Sequence, residues 1–77
     1  MTALPIFMAK LTDLQIETVV FDVQKHVGKA EADWTERTLR ALVQQGIPLS
    51  DLGVVVRTDA TIEIHVNYKL KATFKAI

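Results

Sequence analysis

The chain has 77 residues, of which 49% are hydrophobic, and its nine basic and nine acidic residues give a formal net charge of zero. This length predicts one domain over residues 1–77, and the hydrophobic fraction is too high for a disordered chain. Zero net charge gives no overall attraction to nucleic acids or membranes. There is no cysteine, which excludes disulfides and thiolate metal sites. We therefore expect oligomerisation to help stabilise so small a domain.

The N-terminal region carries no targeting signal that the sequence makes visible. Residues 1–5 are interpreted as a loose lead-in, and the segment lacks the basic start of a signal peptide. No apolar run approaches the roughly 20 residues that a membrane-spanning helix needs. We therefore expect a cytoplasmic protein with no membrane contact.

Residues 6–11 and 14–23 are both apolar enough to be strands, joined at Thr12 and Asp13. The β-branched and aromatic run 18–21 favours a strand in the second segment. The alternative is a helix, with Thr12 and Gln15 as a capping box and Gly28 just past the end. Five apolar residues would then share one helical face: Ile16, Val19, Val20, Val23 and Val27. We prefer the strand and keep the helix as the alternative.

Residues 30–45 are predicted to form an amphipathic helix, because apolar and small residues recur there with a helical period. These positions are Ala32, Trp34, Thr35, Thr38, Leu39, Leu42 and Val43. Two pairs, Asp33 with Arg37 and Glu36 with Arg40, are four apart in the order that favours an ion pair on a helix. Gly46 and Pro48 predict the end of the helix.

Residues 52–58 are predicted to form a short strand, and residues 58–61 a turn into a long C-terminal strand. From residue 61 to 76 polar and apolar residues alternate without interruption, which is typical of a strand with one buried face. The apolar positions are Ile62, Ile64, Val66, Tyr68, Leu70, Ala72, Phe74 and Ala76.

This last run is too long for the domain. Fully extended it would span roughly 55 Å, whereas a compact domain of this length is about 30 Å across. It must therefore bend, split in two or run past its own core, and we prefer a bend or split. Each outcome leaves an open sheet edge near the C-terminus, and open edges pair with other strands.

The predicted fold is α+β, with one amphipathic helix packed on a three- to four-stranded, mostly antiparallel sheet. The preferred element order is ββαββ, and the alternative is βααββ. In either order Tyr68 and Phe74 are expected to point into the core and meet Trp34 or its neighbours.

The sequence predicts no catalytic residues, no metal site and no cofactor. Ser50 is the only serine and lacks the setting of a nucleophile elbow. A metal site would need His26 and His65 to converge with a carboxylate such as Glu63. Glu63 and His65 share one face of the last strand, but such a pair is more often simply solvated. We therefore expect that the protein is not an enzyme.

Two surfaces are predicted to bind partners. The solvent-exposed face of the last strand would contribute His65, Asn67, Lys69, Lys71 and Lys75. The exposed face of the helix would contribute Arg37, Arg40 and Gln44.

The first functional hypothesis is a non-enzymatic protein-interaction module, of adaptor or inhibitor type, that forms a homodimer through a sheet edge. The alternative is a nucleic-acid-binding module that uses the lysines of the last strand. That alternative is weakened because the strand's aromatic residues are expected in the core and not on the exposed face.

Overall fold

The computed structural model describes residues 13–75, which form two helices and three strands. The elements are α1 (Asp13–His26), α2 (Lys29–Gln44), a 3-10 helix (Leu49–Asp51), β1 (Leu52–Val56), β2 (Ile62–Val66) and β3 (Lys69–Phe74). The strands form an antiparallel sheet in the order β1-β2-β3. The predicted α+β class is confirmed, with two helices packed on the sheet. The predicted strand over residues 6–11 lies outside the described residues.

The strand predicted over residues 14–23 is wrong, because α1 occupies that segment. Ile16, Val19 and Val23 are buried on one face of the helix, and Val20 and Val27 pack beside them. These are the five positions of the helical alternative. Packing of this face against α2 outweighs the preference of β-branched residues for strands, which is small for each residue. Neither α1 nor α2 is long and apolar enough to cross a membrane.

The amphipathic helix predicted over residues 30–45 is confirmed as α2. Its buried face comprises Ala32, Thr35, Leu39 and Leu42. The Thr35 hydroxyl donates to the Glu31 carbonyl oxygen at 2.8 Å, which satisfies a polar group in the core. The helix ends before Gly46, whose φ of 94° suits a residue without a Cβ.

The hydrophobic core lies between the helices and one face of the sheet. Alternate residues of β1 and β2 supply the sheet side, which consists of Leu52, Val54, Val56, Ile62 and Ile64. Trp34 of α2 stacks on Phe74 of β3, with ring centroids 5.3 Å apart, as predicted for Phe74. This contact packs the end of β3 against the helical layer.

The long C-terminal strand is split in two, as preferred from its length. Asn67 and Tyr68 have φ values of 52° and 67° and join β2 to β3. Two consecutive left-handed residues define a type I′ turn, whose twist matches that of a tight hairpin. With two helices before the sheet, the order ββαββ is wrong. Of the alternative βααββ, the two helices followed by strands are present in the described residues with a third strand from this split, and its first strand lies outside them.

Two local irregularities explain why the run reads as one strand. The turn pairs Val66 with Lys69, which moves the odd-numbered positions of early β3 to the core side. A register shift opposite Ile64 and His65 then leaves Lys71 as an extra residue, and Ala72 and Phe74 face the core again. The turn and the bulge each shift by one residue the positions that face the core, and the two shifts cancel. The core-facing residues of β2 and of the end of β3 therefore all have even numbers, as in one continuous strand.

Candidate partner-binding surface

The tip of the β2–β3 hairpin is the most exposed apolar part of the described chain. We use the term hairpin tip for residues 67–71, which are Asn67, Tyr68, Lys69, Leu70 and Lys71. The Asn67 backbone N–H donates to the Asp51 carbonyl oxygen at 2.7 Å, which ties the turn to the start of β1. The hairpin tip is therefore held at a fixed place beside the sheet.

The Tyr68 side chain is 84% exposed, so the predicted contact between Tyr68 and the core is wrong. The residue lies in the turn and not on the inward face of a strand. Asparagine tolerates left-handed backbone, and Asn67 falls near the middle of a run too long for one strand. Those two signals together could have placed the turn and so exposed Tyr68.

Leu70 is 57% exposed, and the reason is the register that the turn imposes before the bulge restores the inward phase at Ala72. It pairs with His65, whose neighbours Ile64 and Val66 occupy the core side of β2. Leu70 therefore lies on the outer face of the sheet, opposite the helices. The alternation of the sequence predicted that Leu70 faces the core, because the shifts at the turn and at the bulge leave no trace in that alternation.

β3 is an edge strand among the described residues, where it pairs only with β2. Every residue of β3 is exposed or half-buried, in contrast to the fully buried β1. An edge of this kind offers backbone N–H and C=O groups to another chain. The open edge predicted near the C-terminus is thus present in the described residues.

The predicted lysines are divided along this edge. Lys69 and Lys71 flank Leu70 at the hairpin tip, and Lys75 follows the far end of β3. Lys75 lies close enough to Asp59 to help keep the pKa of that carboxyl below its ordinary value. Hydrogen bonds from the side chain and the backbone N–H of Thr61 are the larger causes of the lowered pKa. The positive charge at the tip is thus separated from the charge at Lys75.

His65 belongs to a cluster of three charged or titratable side chains on the outer face. Arg57 Nε and Nη2 donate to the two carboxylate oxygens of Glu63 at 2.6 and 3.0 Å. His65 Nε2 lies 3.1 Å from Glu63 Oε1. The hydrogen bonds from Arg57 lower the pKa of Glu63, and the bond to His65 adds to that effect against the opposing effect of burial.

This cluster is more enclosed than the solvated pair expected from the sequence. The side chains of Glu63 and His65 are 13% and 17% exposed. Glu63 engages one imidazole nitrogen, while Nδ1 is buried and has no hydrogen-bond partner. A proton on Nε2 fits this contact, because the Glu63 carboxylate can accept it. His65 therefore positions Glu63 and offers no free nitrogen to a partner.

Arg37, Arg40 and Gln44, the other predicted binding residues, are exposed on α2. Arg40 Nε donates to Glu36 Oε2 at 3.2 Å, which confirms that predicted ion pair. The predicted partner of Arg37, Asp33, instead accepts from Lys29 Nζ at 3.2 Å. Arg40 and Gln44 also border a shallow hollow of about 160 Å³ beside Ile16 of α1. These three residues thus lie on the helical layer, and they form a surface separate from the hairpin tip.

The residues that the sequence suggested as a possible nucleophile or metal ligands do not come together in one site. Ser50 is exposed in the 3-10 helix. His26 Nδ1 donates to the Asp22 carbonyl oxygen of its own helix at 2.9 Å. Within residues 13–75, no three histidine, aspartate or glutamate side chains converge in a way that could hold a metal ion.

The described geometry thus reduces to an exposed hairpin tip, an open sheet edge and a half-buried ionic cluster behind them. Each is built from local features of residues 57–75 and not from a recognisable motif. No family model matches this chain, and comparisons with curated proteins and with solved structures give no match either.

Proposed function

We propose that this protein is a non-enzymatic protein-interaction module that binds an extended segment of a partner along the β3 edge. The observation that carries the proposal is the exposure of Tyr68 and Leu70 beside an edge strand. Addition of a strand to a sheet edge uses main-chain hydrogen bonds for affinity and neighbouring side chains for selectivity. Both elements are available on β3.

The backbone of β3 supplies groups for this pairing. Val66 pairs with Lys69 across the two-residue turn, and His65 pairs with Leu70. In a type I′ hairpin the pair that closes the turn is hydrogen-bonded and the next pair is not. The N–H and C=O of Leu70 then point away from β2. They are the first groups that an added strand would engage.

The arrangement of the ionic cluster supports a binding role over a catalytic one. His65 directs one nitrogen to Glu63 and has the other buried, and Arg57 holds both oxygens of Glu63. An acid–base pair needs a nitrogen or oxygen within reach of a substrate proton. The groups of this cluster are instead engaged with one another.

Selection of extended peptides from a displayed random library, followed by hydrogen exchange of the complex, tests the proposal. We expect the binders to protect amides of β3, above all that of Leu70. Leu70→Pro removes the outward N–H and should abolish binding, whereas Leu70→Ala keeps that N–H and should weaken it. Binders that protect only α2, near Arg37, Arg40 and Gln44, would contradict the proposal.

A nucleic-acid-binding module is the second candidate, and one observation favours it. Tyr68 is exposed between Asn67 and Lys69, so an aromatic ring is available for base stacking near phosphate-binding lysines. This function predicts retention on single-stranded DNA at low salt, steep loss with added salt, and loss in Tyr68→Ala. The first function predicts that Tyr68→Ala leaves β3 peptide binding largely intact.

Self-association, expected from the sequence, remains a prediction, but one form of it is disfavoured. A two-fold pairing of two β3 edges centred on Leu70 would bring Lys69 of one copy opposite Lys71 of the other. Like charges directly opposite each other destabilise a strand pair. A homodimer would therefore use another surface more readily than the bare β3 edge.

A further inference from the structure

We infer that the segment accepted by β3 is acidic, with an apolar residue between two acidic residues, and belongs to a different protein. This inference rests on the proposed function and specifies the chemistry of the partner. Its basis is the charge pattern of the edge and the faces on which Lys69, Leu70 and Lys71 lie.

Among the described residues, neither Lys69 nor Lys71 of the hairpin tip forms an ion pair with a carboxylate. β3 has the sequence KLKATF and contains no acidic residue. Glu63, on the adjoining strand, is already bound by Arg57 and His65. Two ammonium groups on either side of one leucine therefore favour acidic side chains on an incoming strand.

The register of the sheet sets the order of residue types in the partner. Leu70 lies on the outer face next to His65, so the partner residue opposite Leu70 shares that face. An apolar side chain there would cover the exposed leucine. The residues before and after it lie near Lys69 and the bulge residue Lys71, so acidic side chains there meet the two ammonium groups.

The other occupants fit these features less well. In a second copy of this chain paired about Leu70, Lys69 of one copy would lie opposite Lys71 of the other, and these like charges repel. A nucleic acid supplies negative charge, but it has no peptide backbone to pair with the outward groups of Leu70. An acidic extended peptide satisfies the charges, the apolar side chain and the backbone together.

Fluorescence anisotropy with labelled peptides of one length tests the inference. The first peptide alternates glutamate with valine, the second has glutamine for glutamate, and the third has lysine. A fourth repeats the first with N-methylated amides, which cannot pair with a strand edge. We expect the glutamate peptide to bind about tenfold more tightly than the glutamine peptide. The lysine and N-methylated peptides should bind more weakly still.

Two single variants that change charge equally provide the matched comparison. Lys71→Glu, measured below the concentration at which it self-associates, should remove the preference for glutamate, whereas Lys25→Glu on exposed α1 should keep it. Circular dichroism of both variants verifies that the fold is unchanged. An unaltered preference in Lys71→Glu would overturn the assignment of the site to the hairpin tip.

The peptide set separates failure of this inference from failure of the proposed function. Equal binding of the glutamate, glutamine and lysine peptides, with loss on N-methylation, would overturn the acidic partner and keep edge pairing. Binding of the glutamate peptide that N-methylation leaves unchanged would overturn strand addition. Absence of binding by every peptide would overturn both.

Discussion

At the residue scale, the left-handed backbone conformation of Tyr68 lowers the stability of the fold, and its exposed side chain makes little packing contact that would offset this cost. Its φ is 67° and its side chain is 84% exposed. Glycine adopts this conformation without a Cβ clash and is the preferred second residue of a type I′ turn. We expect Tyr68→Gly to raise the free energy of unfolding by about 1 kcal/mol, measured by urea denaturation.

Two variants identify the source of that gain. Tyr68→Ala removes the ring but keeps the Cβ, so its stability should stay close to that of the parent. Ala60→Gly, in the β1–β2 connection, relieves a second left-handed residue with φ 69° and should also stabilise. A lower stability of Tyr68→Gly would instead show that the tyrosine ring contributes to the fold.

Glu63 gives the stability a predictable dependence on pH. Hydrogen bonds from Arg57 hold the pKa of Glu63 below its ordinary value, so the unfolded chain binds this proton more readily than the folded one. The contribution of Glu63 is therefore complete above the ordinary carboxyl range and is lost as pH falls through the lowered pKa. Urea unfolding at neutral pH and across the acidic range should show this loss.

Glu63→Gln removes the titrating group and is the matched test of that pH dependence. We expect it to be less stable than the parent at neutral pH, with the difference narrowing in acid. Asp59→Asn removes the other carboxyl whose pKa is lowered and corrects for its share. A constant difference between Glu63→Gln and the parent at every pH would contradict the assignment.

At the element scale, α2 could be predicted from its helical period and β1 from its run of valines, and both have clear ends. The helix over 14–23 could not be chosen from local preference, because the same residues suit a strand locally and a helix by spacing. What decides is the burial of Ile16, Val19 and Val23 in a core that α2 and the more distant sheet residues complete. The alternative kept from the spacing was the correct one.

The split of the last strand could be predicted from its length, but its place could not. The turn at Asn67 and Tyr68 and the bulge at Lys71 shift the alternation in opposite senses and leave it intact. The exposed lysines of the candidate surface followed from the alternation, because they fell on its polar positions. Exposed Tyr68 and Leu70 did not, since they fell on its apolar positions.

The stack of Trp34 on Phe74 is the contact that we expect to hold β3 against the helices. Phe74→Ala removes the ring pair and part of the buried surface, so the free energy of unfolding should fall by about 2 kcal/mol. Trp34 is the only tryptophan, so its fluorescence reports directly on this contact. Hydrogen exchange in β3 should accelerate more than in β1.

The control for this contact is Phe74→Leu, which keeps most of the apolar volume but not the aromatic ring. It should recover part of the stability and leave the Trp34 emission changed. Unchanged protection of β3 in Phe74→Ala would show that pairing with β2 alone holds the strand.

At the scale of the whole molecule, the α+β class follows from the amphipathic helix and the alternating C-terminal segment. The state of association does not follow from the same features, because it depends on which charges meet across an open edge. In an antiparallel pair of β3 strands centred on Leu70, Lys69 faces Lys71 of the second copy. We therefore expect no pairing of two chains through β3 at low ionic strength, where repulsion is least screened.

Lys71→Glu tests this argument by making the same pairing attractive. The substitution places an acidic residue opposite Lys69 at two symmetric positions while two Leu70 side chains meet between them. Sedimentation equilibrium at low ionic strength should then show a dimer that added salt dissociates. Lys25→Glu makes an equal charge change on α1 and should stay monomeric. A parent chain that dimerises at every salt concentration would show that its association does not depend on the charges of β3.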